Sequence, residues 1–94
     1  MTWEENLWGC PSQLYCDVEQ YGVKYTLYLR WRWDDPWTFS VIKNYPDFEV
    51  EDWLDVCKTV YWGVEHKEAE AWAEKWWRQN KCRIEEMFER QSKK

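Results

Sequence analysis

Glycine is scarce in this sequence, at three residues, and histidine scarcer still, at one. Three scattered glycines leave little material for a loop that cradles phosphate, which needs clustered glycines so that backbone amides can approach the anion. The single histidine, His66, sits in the charged run Glu65-His66-Lys67-Glu68 and has no second histidine to share a metal. Cys10, Cys16, Cys57 and Cys82 do not repeat at metal-ligand spacing, and nucleophilic catalysis would need a base beside a thiol or hydroxyl, whereas His66 reads as solvated. No apolar run approaches the roughly 20 residues needed to cross a bilayer. The start, MTWEENLWG, lacks both the basic and the apolar region of a secretory signal. From these absences we expect no enzyme, no cofactor, no metal and no membrane association. The expected setting is the cytoplasm, with the cysteines reduced and acting as small apolar side chains.

Positive charge is also in deficit, with 13 Lys and Arg against 18 Asp and Glu for a net charge of −5. The imbalance is local. Residues 34–55 set Lys43 alone against Asp34, Asp35, Asp47, Glu49, Glu51, Asp52 and Asp55.

Aromatic residues are abundant: ten Trp, six Tyr and three Phe among 94 residues. A chain of this length makes one domain with one core. Each aromatic side chain can bury about 150–250 Å², so some of the nineteen are expected at the surface, where exposed aromatic clusters mark binding sites.

The clearest element is Val23 to Trp33, VKYTLYLRWRW. Val23, Tyr25, Leu27, Leu29, Trp31 and Trp33 alternate with Lys24, Thr26, Tyr28, Arg30 and Arg32, the pattern of a strand with one buried and one wet face. Gln13 to Gln20 alternates likewise, with Leu14, Cys16 and Val18 inward, and Tyr21-Gly22 suits a tight hairpin turn. After an Asp34-Asp35-Pro36 turn, Trp37, Phe39 and Val41 alternate in a third strand.

Thr2-Trp3-Glu4-Glu5 fits a capping box and predicts a short N-terminal helical turn. Asp47, Glu49 and Glu51 favour the positive end of a helix. Val50, Trp53, Leu54, Cys57 and Tyr61 then fall on one helical face, which ends at Gly63. A longer helix is predicted from Glu65 to Gln91, with Ala69, Trp72, Ala73, Trp76, Asn80, Ile84, Met87 and Phe88 on its apolar stripe and a bend near Gln79-Asn80-Lys81. The expectation is a single α+β domain over 1–94: an N-terminal segment (1–12), a three-stranded antiparallel β-meander (13–44), and two C-terminal α-helices (47–91) packed against it. Trp31, Trp33, Trp37, Trp53, Trp72 and Trp76 are expected in the core.

Two surfaces could carry function. The acidic segment, read blandly, supplies turn caps and helix-dipole acids. Read functionally, it docks on a basic partner and raises the association rate. The second reading selects Asp34, Asp35, Asp47, Glu49, Glu51, Asp52 and Asp55, with Trp62 and Trp77 as aromatic anchors. The expected partner is a larger basic protein that handles nucleic acid, with no direct nucleic-acid contact, and the chain itself is a monomer or homodimer. In size and charge this is similar to phage-encoded inhibitors of host defence nucleases, anti-CRISPR proteins among them, and to toxin-neutralising immunity proteins. The alternative is the wet strand face, where Tyr28, Arg30 and Arg32 could stack and pair with single-stranded nucleic acid.

Overall fold

A computed structural model describes residues 1–7, 12–32, 35–44, 51–57 and 65–92. Five strands, β1 (Trp3–Asn6), β2 (Ser12–Gln20), β3 (Val23–Arg32), β4 (Asp35–Asn44) and β5 (Glu51–Cys57), form one antiparallel sheet in chain order. A C-terminal helical segment follows: α1 (His66–Asn80) and α2 (Ile84–Ser92), joined by a 3-10 turn at Lys81–Arg83.

The three central strands follow the alternation in the sequence. Leu14 and Cys16 on β2, Tyr25, Leu27 and Leu29 on β3, and Trp37, Phe39 and Val41 on β4 are all buried beneath the helices. Gln20 pairs with Val23 across a two-residue loop in which Tyr21 (φ 52°) and Gly22 (φ 76°) both take left-handed backbone, the type I′ pattern that matches strand twist.

Both edge strands correct the expected fold. The N-terminal segment is not a helical turn: Trp3 pairs with Cys16, and Asn6 with Gln13. A single helical turn is costly to nucleate, whereas β2 offers a row of backbone partners. The predicted helix beginning at Asp47 is likewise absent over 51–57, where β5 pairs with β4, Trp53 lying opposite Ile42 and Asp55 opposite Ser40. EDWLDVC is ambiguous: Trp53, Leu54 and Cys57 share a face as a helix, while Leu54 and Val56 share one as a strand. The unpaired edge of β4 decides it, as tertiary context overrides weak local propensity. One consequence is that Trp53, expected in the core, is 42% exposed, while Leu54 and Val56 turn toward the helices and pack on the core.

The helical layer lies where the longer predicted helix falls, with its apolar stripe displaced. Ala69, Ala73, Trp77, Ile84 and Phe88 are buried, and Trp72 and Trp76 flank them. Phe39 meets Trp72 and Trp76 edge-on at 5.5 and 5.3 Å, and Tyr25 packs on Trp77 at 5.6 Å and on Phe88 at 5.9 Å. A straight helix over 66–92 would run about 40 Å, longer than the molecule's 33 Å principal extent. The bend falls at Asn80, whose side-chain amide donates to the Trp76 carbonyl at 2.8 Å and whose Oδ1 accepts from Arg83 at 2.8 Å. Glu85 then ties α2 to the sheet, accepting from the Tyr25 hydroxyl and pairing with Lys43 at 2.9 Å. Among the described residues no helix is long and apolar enough to cross a membrane.

Leu27 sits at the centre of β3 with no exposed surface. Leu27→Ala should cost about 2–5 kcal/mol in denaturant unfolding, whereas Arg78→Ala on the exposed side of α1 should stay within about 0.5 kcal/mol. Equal losses would contradict this core.

Candidate functional site

The helices cover one face of the sheet, and the opposite face carries the candidate site. Strand register arranges its side chains in rows. One row crosses all five strands as Glu4, Tyr15, Tyr28, Ser40 and Asp55. The next is Asp17, Thr26, Ile42 and Trp53. Between the rows lies an open groove of about 750 Å³, also bordered by Thr2, Gln13 and Asn44.

Aromatic packing shapes the floor. Tyr15 and Tyr28 stack with centroids 5.0 Å apart and planes 11° from parallel, and Trp53 meets Tyr28 edge-on at 5.3 Å. This contact wedges Tyr28 in place at 8% exposure. Burial, and then the neighbouring Tyr28, raise the Tyr15 pKa against the pull of Arg30, so Tyr15 remains a neutral hydroxyl. A polar chain runs beside the rings: Asn44 donates to the Thr26 hydroxyl at 2.9 Å, Thr26 donates to Asp17 at 2.8 Å, and Gln13 donates to the Tyr28 hydroxyl at 3.0 Å. Among the described residues the lining holds the carboxylates of Glu4 and Asp17 and no Lys or Arg. Neither carboxylate forms an ion pair among the described residues. Arg30, one row away beside Gln13, has its Nε buried without a hydrogen-bond partner.

Of the acids singled out in the sequence, Asp52 and Asp55 are the two whose side chains are described. Asp34, Asp47, Glu49 and Trp62 lie outside the described residues, and for Asp35 and Glu51 the structure describes the backbone alone. Asp52 and Asp55 are exposed on β5, but strand alternation points them to opposite faces. Asp55 accepts the Ser40 hydroxyl at 3.0 Å, and Asp52 lies opposite Lys43. Their expected shared helical surface is therefore absent. Trp77, expected as a surface anchor, is 3% exposed and belongs to the core, because Ala73 and Ala69 bring its side of α1 down onto the sheet. The sequence reading missed the Tyr15–Tyr28 stack, although the two-residue hairpin loop fixes that register and so gave a usable signal.

A second constellation lies on the helix side, where β1 meets α1. Glu5 pairs with Lys67 at 3.0 Å and lies 3.6 Å from His66 Nε2, while Lys67 also reaches Glu70 at 3.5 Å. Trp3 donates its indole N–H to Glu74 at 3.2 Å. Glu70 is 4% exposed, and its Oε2 is buried without a partner. Burial, and then the Glu5 carboxyl, push Glu70 up to about 7; the hydrogen bond from Glu70, and then Lys67, pull Glu5 down. Both effects favour a single proton held by Glu70 beside a charged Glu5.

The remaining thiols offer little chemistry. Cys16 is buried and its pKa is raised to about 11 by that burial, while Cys82 is exposed. Among the described residues no three His, Cys, Asp or Glu side chains converge as metal ligands. Comparison with protein-family models, with curated proteins and with solved structures finds no match.

Because the folded-state value of Glu70 is raised, folding takes up a proton between about 4.5 and about 7. The stabilisation from this group is complete below that window and is lost as pH rises through it. Glu70→Gln keeps a donor for Glu5 without a charge. Its unfolding free energy relative to the natural chain should therefore climb between about pH 5 and pH 8, by an amount on the order of 2 kcal/mol. A difference that stays constant with pH would contradict the proton on Glu70.

Proposed function

We propose that this chain is a non-catalytic binding protein that holds a basic segment of a larger protein on the open face of its sheet. The observation that carries this reading is the groove lining: stacked aromatic rings beside the carboxylates of Glu4 and Asp17, with no ion pair and no lining Lys or Arg among the described residues. An arginine or lysine entering there meets the exposed Trp53 ring and the carboxylates together, which supports cation–π contact and charge pairing at once. The net charge of −5 favours the same partners at long range. Proteins that handle nucleic acid present such segments, because they neutralise phosphates with Lys and Arg. An inhibitor of a defence nuclease, of the anti-CRISPR kind, or a toxin-neutralising immunity protein would work in this way.

Direct binding of single-stranded nucleic acid through Tyr28, Arg30 and Arg32 is less well supported. Tyr28 is already stacked on Tyr15 and wedged by Trp53, leaving little ring surface for a base. Glu4 and Asp17 would repel a phosphate backbone passing over the groove.

Titration calorimetry with a short arginine-rich peptide tests the proposal. Binding should weaken steeply between about 50 and 300 mM salt, and Trp53→Ala and Asp17→Asn should each lower affinity several-fold. Binding unaffected by both substitutions would overturn the assignment of the groove, as would no binding at low salt. Capture of a mixed-sequence single strand instead of the peptide would favour the alternative.

A further inference from the structure

β1 is a four-residue edge strand, and its two sides do different work. Thr2 and Glu4 wall the groove, while Trp3 and Glu5 reach across to α1. On the sheet side β1 has one neighbour, β2. Its position therefore rests on that pairing and on the struts to the helix, where Glu5 meets Lys67, which also reaches Glu70.

The charges around that strut carry an excess of acid, which a proton reduces. β1 contributes Glu5; α1 contributes Glu70, Glu74, Lys67 and His66; β2 contributes Cys16, which burial keeps as a neutral thiol. Fully ionised, and among the described residues, three carboxylates face Lys67, with the Met1 ammonium further off beside Cys16. A proton on Glu70 removes one charge, gives its buried Oε2 a role, and supplies a donor to Glu5. Without it, a carboxylate that is 4% exposed sits as an anion beside a second anion. Glu70 itself cannot withdraw easily, because Ala69 and Ala73 on either side of it are fully buried against the sheet. β1 is the part free to yield, since a short edge strand is among the least stable units of a fold.

We propose that the Glu5–Glu70 carboxyl pair is a proton-operated latch that holds β1 against α1 and so sets one wall of the groove. With the proton in place, β1 stays docked, and Thr2 and Glu4 border the site. When the proton leaves, repulsion pushes Glu5 outward, β1 loosens, and the groove loses its Glu4 carboxylate. The consequence for ligand binding rests on the function proposed above, but the latch itself is tested without any ligand.

The experiment is an NMR pH titration of the whole chain from about pH 5.5 to pH 8.5, following the β1 amides and the Trp3 indole N–H. The latch predicts that both move together toward unstructured values with a midpoint near 7, while β3 amides hold still. In Glu70→Gln the β1 signals should stay at their low-pH positions throughout, and Glu5→Gln should likewise remove the transition. Unmoved β1 signals in the natural chain would overturn the latch and leave the groove reading intact. So would a transition that persists in both variants. A β1 transition accompanied by no affinity for an arginine-rich peptide at any pH would instead uphold the latch and overturn the groove.

Discussion

One helical layer set against a sheet with large side chains on both faces is the constraint from which the rest follows. Alternation along β3 sends Tyr25, Leu27 and Leu29 under the helices and Thr26, Tyr28 and Arg30 to the other side. Trp77, Ile84 and Phe88 close the first face, and Glu85 pins α2 to Tyr25 and Lys43. Among the described residues no helix remains to close the second face. Its aromatic residues can pack only on each other, which is why Tyr15, Tyr28 and Trp53 form a cluster with water on one side.

That asymmetry separates two kinds of polar chemistry. On the open face carboxylates remain solvated: Asp17 is oriented by the Thr26 hydroxyl, and Glu19 lies opposite Lys24. On the covered face a carboxylate must be paired or protonated. Glu85 takes the first course, its pKa lowered by the Tyr25 hydroxyl and then by Lys43. Glu70 takes the second, since Lys67 is shared with Glu5. β1 belongs to both regimes, with Glu4 in the groove and Glu5 at the seam, so it can couple the two.

The sequence revealed most where structure is local. β2, β3, β4 and the Tyr21-Gly22 turn follow from alternation and a residue pair able to take positive φ. The edge strands were hidden because their conformation is set by the neighbour they pair with: Thr2-Trp3-Glu4-Glu5 caps a helix as well as it pairs with β2, and EDWLDVC reads equally as helix or strand. Misreading β5 displaced Trp53 from the open face to the core and put Asp52 and Asp55 on one surface. Trp77 was misplaced by a small rotation of the helical stripe, which the adjacent pair Trp76-Trp77 leaves undetermined. Nothing in HKEAEAWAEKW marks Glu70 as buried, because that depends on how closely Ala69 and Ala73 let the helix approach the sheet.

The central claim is that the uncovered sheet face, and not the acidic segment as a unit, is the working surface. It is tested most directly by mapping amide and side-chain NMR shifts while an arginine-rich peptide is added to the labelled chain. The account predicts changes centred on Tyr15, Asp17, Thr26, Tyr28, Asn44 and Trp53, with the outward side of α1 and α2 silent. Shifts centred on the helices, or scattered wherever an acidic side chain meets solvent, would contradict it.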